Sequence, residues 1–437
     1  MNEVVDVAIL GAGPAGATVA RRLATHGARV TLIAPTAQAP TREGFSSRTR
    51  DLLVAEGFES VVAQMRVHVP RSGTWGEGRA VSGGEWLVDR ATLGDAWSQD
   101  AVRSGARRIE SPATRIHRTP SGVTVEAGAR SIHARLMVDA RGRRGPQQRG
   151  PLLLAVGRRF VSRSGNPRTA VHAWSSGWCW LADDGTETYV QLTGRPRVAG
   201  TPDGWFLAAA AEIPDLSDVL GAPATGSMAA RPAHARLGRP EIDAAVWHVG
   251  DAAMALDPLS GQGVYEAVRG ASVVAAALRT ILENDAPAVA ALARRFVAER
   301  YTDAWTRCVT AAQGFYAENS ARGPFWSVTA AAYGALVPAF SPEALRIEAR
   351  PVLLDGRVCE RNVFVAPASP RGVWQVDGVP LVPLFDYLMC VEPAAGRLQD
   401  AAHRFNRPPS AVASALNWLR ASGALRSSAG ALVSTGG

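Results

Sequence analysis

The spacing of apolar and polar residues changes period several times along the chain. Val4 to Leu10 is a short apolar run closed by Gly11, and from Ala15 to His26 the pattern turns helical, with Val19, Ala20 and Leu23 on one face. A second apolar run, Arg29 to Ile33, follows. Strand, glycine turn, helix, strand is the order this predicts. Far downstream, Val246-Trp247-His248-Val249 reads as an apolar strand ending in Gly250-Asp251, and a long Ala/Val-rich helical pattern runs from Val264 to Leu282. Residues 151–245 alternate short apolar and aromatic runs, such as Thr169 to Trp174 and Thr188 to Leu192, which predicts a β-sheet layer inserted between the two flanking parts.

After a helical pattern from Phe296 to Ala317, breaks at Gly323-Pro324 and Ser341-Pro342 mark a boundary. From about residue 342 the order is an extended basic segment (Ile347 to Val365), then helical patterns at Leu381–Cys390, Ala394–Phe405 and Ser410–Ser422, with Ser410 as a cap, and then a short end. Helix, turn, helix and a short hairpin make a winged-helix layout, which predicts a small separate domain over 342–437. Its last helix carries Arg420 and little else to touch phosphate, so partner docking is preferred to DNA reading there, with a structural lid as the plainer alternative.

The first turn reads Gly11-Ala12-Gly13-Pro14-Ala15-Gly16, a complete GxGxxG between a strand and a helix. In this motif the first glycine permits the tight turn, the second lets backbone approach a pyrophosphate, and the third lets helix and strand pack closely. The helix N-terminus then faces the phosphate charge. The context favours a dinucleotide cradle over a glycine-rich structural turn. One element is missing: no acidic residue ends the second strand to hold the ribose, where Ile33 runs into Ala34-Pro35-Thr36. Thr36 or backbone groups take that role, or the adenosine end is held loosely and cofactor is lost on purification.

Composition narrows the classes. The 437 residues are 47% apolar and 20% charged, which excludes a disordered chain. No apolar run reaches the roughly 18 residues of a membrane helix, and Met1-Asn2-Glu3 lacks a basic leader, so a cytoplasmic protein without membrane contact is expected. Cys179, Cys308, Cys359 and Cys390 lie far apart, with neither metal-ligand spacing nor a disulfide framework, and read as reduced thiols. The net charge is +8, and all 47 basic residues are arginine. Without a lysine there is no Schiff base and no P-loop amine. So mild an excess of charge permits nucleic-acid binding but does not demand it.

The segment Gly250-Asp251-Ala252-Ala253 followed by Asp257-Pro258-Leu259-Ser260-Gly261-Gln262-Gly263 exposes backbone N–H groups at a helix N-terminus, suited to negative charge on a ring. Asp251 would accept hydrogen bonds from a polyol chain; its plainer alternative is a helix N-cap. These residues, with Leu136 to Gly145 and Val88-Asp89-Arg90…Leu93, resemble the FAD enzymes typified by p-hydroxybenzoate hydroxylase, geranylgeranyl reductase and the tryptophan halogenases. The resemblance covers residues 1 to about 300. It implies an α/β fold in which a Rossmann-like FAD domain (1–150 and 246–341) flanks the sheet domain (151–245). It also implies FAD held by Gly11, Gly13, Pro14, Ala15, Gly16, Arg90, Asp251, Pro258, Gly261, Gln262 and Gly263. Arg90 reads equally well as a solvated helix-start residue. Met254 and Tyr265 depart from the histidine and asparagine common in that pattern, so substrate-side details do not transfer.

Gly177-Trp178-Cys179-Trp180-Leu181 is similar to a halogenase motif, but no Ile-Pro follows, and the lysine that halogenases of this family use is absent. Sheet packing is the expected role of both tryptophans. Oxygen insertion through a flavin hydroperoxide, or double-bond reduction, remains. The Gly250–Val264 loop resembles most the flavoproteins that mature peptidyl quinone cofactors by hydroxylating a tryptophan on the way to cysteine tryptophylquinone. That resemblance implies a protein or peptide substrate, with a maturation complex as a further partner. NAD(P)H would be the electron source, direct or through a reductase. A small-molecule hydroxylase or reductase and a flavin-sensing DNA-binding regulator are the alternatives. The catalytic base stays open; His172, His234, His248 and Asp257 qualify by type only.

Overall fold

The structure, a computed structural model, describes residues 2–36, 41–76, 78–143, 148–195, 202–240, 243–337, 344–366, 369–390 and 397–425. The chain divides into two compact units, one of residues 1–275 and 304–338, the other of 276–303 and 339–437.

The first unit holds the predicted strand–turn–helix–strand. Asn2–Leu10 pairs in parallel with Val30–Ile33 on one side and Arg130–Asp139 on the other, and Val246–His248 adds in parallel to Arg130–Asp139. Arg107–Ile109 extends the parallel edge, while Ala113–Thr119 and Gly122–Ala127 continue the sheet antiparallel. Its strands read as continuous apolar runs because both faces are covered: Val7, Ala8, Ile9 and Leu10 are all fully buried. The helix Pro14–Thr25 packs its Ala17, Val19, Ala20 and Leu23 face inward, with proline at its first position, where the absent N–H costs nothing.

A second, mostly antiparallel sheet has eight strands among the described residues, and it is wider than the segment 151–245 expected to form it. Five strands come from that segment: Leu154–Val161, Arg168–Trp174, Gly177–Asp183, Glu187–Gly194 and Ala229–Pro232. Three more, Arg42–Ser46, Val67–Trp75 and Gly78–Asp89, come from inside the block 1–150 and join through a parallel pairing of Val67–Trp75 with Arg168–Trp174. The boundaries 1–150 and 151–245 therefore do not separate the two sheets. Side-chain alternation assigns the two faces. Ala170, Cys179, Leu181, Val190 and Leu192 pack against Trp205, Phe206 and Leu216 of the helices Pro202–Ala210 and Pro214–Leu220 and against Ile213, which caps the second. Val171, Trp178, Trp180 and Gln191 point the other way. Burial of Cys179 pushes its thiol well up, as expected of an inert structural cysteine.

An aromatic cluster ties this sheet to the helices that close the unit. Trp326 is fully buried and its indole N–H donates to the Trp174 carbonyl at 2.8 Å; its ring lies 5.6 Å from Tyr316 and 5.2 Å from Trp75.

In the second unit the expected extended segment is a three-stranded meander, Arg346–Leu354, Arg357–Ala366 and Ser369–Val373, followed by a small hairpin, Gln375–Val376 and Val379–Pro380. Both tight turns are Asp-Gly pairs with positive φ at each residue, 50° and 75° at 355–356 and 49° and 79° at 377–378, the geometry that suits a two-residue hairpin. Helices follow at Leu381–Cys390, Arg397–Phe405 and Pro409–Ala421 around Leu381, Leu384, Val412, Ala415 and Leu419. The expected wing, after residue 425, lies outside the described residues, as do 391–396 and the break at Ser341-Pro342. Residues 276–303, from two helical patterns, belong to this unit as well, so the unit is larger than 342–437. Among the described residues no helix is long and apolar enough to cross a membrane.

Replacing Trp326 with alanine removes a fully buried ring and its hydrogen bond. It is expected to lower the unfolding free energy by about 3–5 kcal/mol, as measured by chemical denaturation.

Candidate functional site

Three chain segments meet where the parallel strands end. Gly250 sits in left-handed backbone, φ 58°, and a Cβ there would come within 2.8 Å of the Ala15 Cβ, so the downstream Gly-Asp segment rests directly on the first turn. Gly16 is equally constrained, since a Cβ would stand 1.9 Å from the Gly11 carbonyl oxygen. Gly13 and Gly263 differ: nothing lies within 4 Å of a Cβ built at either. Each opens onto one cavity of about 680 Å³. The N-terminal ends of the helices Pro14–Thr25 and Gly263–Glu283 line it with Pro14, Ala15, Gly263 and Val264, so their partial positive charges share that space.

Most of the sequence-derived site residues line this cavity: Gly11, Gly13, Pro14, Ala15, Arg90, Asp251, Pro258, Gly261 and Gly263. Gly16 stands behind it, as its packing role requires. Gln262 is not among the lining residues; its carbonyl accepts the Glu266 N–H at 2.9 Å and starts the helix, which is its contribution here. Arg90 is half exposed and pairs with Glu43 at 3.4 Å. Of the four residues that qualify as a base by type, only Asp257 lines the cavity. His172 instead shares a 2.8 Å hydrogen bond with Thr74, and burial lowers the pKa of both His234 and His248.

Arg143 joins two of the segments, a role its sequence context did not reveal. Its guanidinium donates to Asp251 Oδ2 at 3.3 Å, to the His234 carbonyl at 2.8 Å and to the Leu256 carbonyl at 3.2 Å. Asp257 fixes the following loop. Its Oδ1 accepts the Leu259 N–H at 2.9 Å, and its Oδ2 accepts from the Tyr333 hydroxyl at 2.7 Å and the Tyr316 hydroxyl at 3.0 Å. The Trp178 indole N–H, which can only donate, reaches the Tyr316 oxygen at 3.2 Å, so the Tyr316 proton must point to Asp257. Burial pushes the Asp257 carboxyl above its ordinary range, and burial with the neighbouring carboxylate pushes both tyrosines well up.

Another part of the lining is the face of the second sheet turned away from the helices Pro202–Ala210 and Pro214–Leu220: Arg71, Glu85, Val171, Trp178, Trp180, Gln191 and Arg231. Trp180 is held by Glu85, which accepts its indole N–H at 3.3 Å, and by Tyr189 edge-on at 6.0 Å. Arg231 donates to Gln191 at 2.6 Å. Sequence reasoning named Trp178 and Trp180 for sheet packing, yet both line the cavity. Their alternation with Cys179 and Leu181 carried that signal, but which face was open could not be read without the helices that cover the other.

At the base, Asp139 ends its strand and receives three hydrogen bonds from Arg141, at 2.6–3.0 Å. Burial alone would raise its pKa, but the hydrogen bonds and charge of Arg141 outweigh it and hold the carboxyl below the ordinary 3.8. A lowered folded pKa contributes stability above the ordinary value that is lost as pH falls through the lowered one. Asp139→Asn is therefore expected to cost about 2 kcal/mol near neutrality and progressively less below pH 3.8, in urea titrations of both proteins across that range.

A family model described as lycopene cyclase protein matches residues 6–163. A search of curated proteins returned no match. Among solved structures, the chain is similar to the peptidyl tryptophan dihydroxylase QhpG, essential for tryptophylquinone cofactor biogenesis, at 28% identity and TM-score 0.80 over 97% of this chain and all of that one. It is also similar to the flavin-dependent halogenase CmlS, at 18% identity and TM-score 0.71 over 96% and 95% of the two chains. A geranylgeranyl bacteriochlorophyll reductase-like protein from Thermoplasma acidophilum matches at 16% identity and TM-score 0.60, over 76% and 91%. The chain thus has the fold of these flavin enzymes and is an FAD-dependent oxidoreductase.

Proposed function

We propose that the protein is an FAD-dependent monooxygenase that hydroxylates an aromatic side chain of a peptide or protein, with tryptophan on the way to a tryptophylquinone cofactor as the foremost candidate. The observation that carries this reading is the similarity to the tryptophan dihydroxylase over 97% of this chain and all of that one. The cavity supports it chemically, since the sheet side of its lining carries the apolar surfaces of Trp178, Trp180 and Val171 beside the polar Glu85, Gln191 and Arg231.

In this reading Gly13, Pro14 and Ala15 hold the pyrophosphate against the helix N-terminus, Asp251 the ribityl chain, and Pro258, Gly261 and Gly263 the ring edge. Gly16 and Gln262 support those contacts from behind, and Arg90 lies toward the adenosine end. Bound and reduced by NAD(P)H, directly or through a reductase, FAD activates dioxygen toward electron-rich rings. The protein's own part is to orient the ring and exclude water. Trp178 and Trp180 form an apolar wall, and the Asp257–Tyr316–Tyr333 cluster keeps the loop and that wall in fixed register. An indole is electron-rich enough to react without prior deprotonation, so a strong base beside it is not needed. Halogenation is disfavoured by the absence of lysine. The C-terminal unit is assigned to docking of the protein substrate or a maturation partner, and its last helix has too little positive charge for nucleic acid.

The purified chain is expected to carry FAD, and Asp251→Ala to bind it about tenfold more weakly, or about 1.4 kcal/mol, by fluorescence titration. Oxygen-dependent NAD(P)H consumption, with a reductase supplied, should be stimulated by a tryptophan-containing substrate protein that gains oxygen atoms by mass spectrometry. Stimulation by free phenols alone, with the protein unchanged in mass, would refute the peptide reading.

A further inference from the structure

Donor counting separates the buried carboxylates. Seven are buried among the described residues: Glu56, Glu85, Asp100, Asp139, Asp183, Asp257 and Glu266. Six are well supplied. Glu56 receives Arg22 and Ser272, Asp139 receives Arg141, and Glu266 receives Arg269 and Arg307. Asp100 takes two backbone N–H groups and Arg103. Asp183 takes three hydroxyls and a backbone N–H, and Asp257 two tyrosines and a backbone N–H.

Glu85 stands apart. It is 6% exposed and lines the cavity, but among the described residues it has one donor, the neutral indole N–H of Trp180, and no cation in ion-pair range. That bond occupies Oε1. The other oxygen lies over Gly44, also a cavity residue, where even a methyl group would stand 2.1 Å from it. A buried carboxylate short of donors is costly unless a ligand completes its shell. Trp180, which bonds it, and Gln191, the cross-strand neighbour of Trp180, line the same cavity together with Arg71, so the missing donor arrives from the cavity.

We infer that Glu85 is the acceptor that reads a ring N–H or O–H of the aromatic substrate: the indole N–H, if that substrate is a tryptophan side chain. The inference rests on the aromatic-substrate reading above but not on the substrate being a peptide. Trp180 fixes the carboxylate, Gly44 leaves room for it, and the free oxygen selects rings with a donor over isosteres without one. A site that must hydrogen-bond a donor discriminates strongly against an analogue lacking it, because its own buried group is then left unpaired.

The test uses the FAD-loaded enzyme and reads perturbation of the flavin absorbance on titration with 3-methylindole against 1,3-dimethylindole, and with p-cresol against 4-methylanisole. Tryptophan and 1-methyltryptophan peptides form a third pair. Wild type is expected to bind the donor-bearing member of a pair about tenfold or more tightly. Glu85→Gln, which keeps the shape and a neutral acceptor, should cut that preference, and Glu85→Leu should remove it, both with normal FAD content. Equal binding of methylated and parent rings by wild type overturns the inference and needs no variant to fold. So does a Glu85→Leu protein that loses FAD affinity while keeping the ring preference, for the carboxylate would then face the cofactor. Discrimination among free rings with no binding of the peptides upholds Glu85 and removes the peptide reading instead. No response to any ring removes both.

Discussion

The contact on which the site depends is a close approach that glycine permits: the left-handed turn at Gly250 rests on the Ala15 methyl group, and the helix start at Gly16 rests on the Gly11 carbonyl. Two segments separated by most of the first unit can approach this closely only where side chains are missing. The place is set by topology. The strand Asn2–Leu10 lies between Val30–Ile33 and Arg130–Asp139, so the chain reverses its direction across the sheet there and leaves a crevice beyond the strand ends. Arg143 and the Asp139–Arg141 pair fix the rim of that crevice with charge-assisted bonds, and the cavity inherits two helix N-termini without further construction.

Two of the carboxylates lining this cavity are buried, and they have opposite tasks. Asp257 is saturated by donors from a loop and two helices, which makes it a fastening: each bond it accepts fixes one more element relative to the cavity. Glu85 is undersupplied, and the chemistry of its surroundings makes it a reader. Side-chain type does not distinguish them, since both are buried acids on the wall of one pocket; the count of donors does.

Much of the nucleotide half was legible in the sequence because its signals are local. A GxGxxG between two apolar runs, and a Gly-Asp strand end before a helix, each carry their geometry within a few residues, and the structure brings them to one cavity. The roof was harder to read. Strands at 42–46, 67–75 and 78–89 lie within the segment read as nucleotide domain, and only the long-range pairing of Val67–Trp75 with Arg168–Trp174 reveals their sheet. Glu85 and Arg231 carried no motif, and their significance arises from neighbours more than ninety and about forty positions away, Trp180 and Gln191. In the C-terminal unit Ile347 to Val365 reads as one extended segment; the Asp-Gly dipeptide that splits it, and the one that turns the following hairpin, carried a signal that this reading did not use.

The alternation along the roof strands has a consequence for how such an enzyme can change. Val171, Trp180 and Gln191 face the cavity, while their immediate neighbours Ala170, Cys179, Leu181, Val190 and Leu192 face the helices that cover the sheet. Fit to a ligand and resistance to unfolding are thus inscribed on interleaved positions of the same three strands. Drift at one set can reshape the ligand wall while the other keeps the scaffold intact, which lets one architecture be adapted to many ligands.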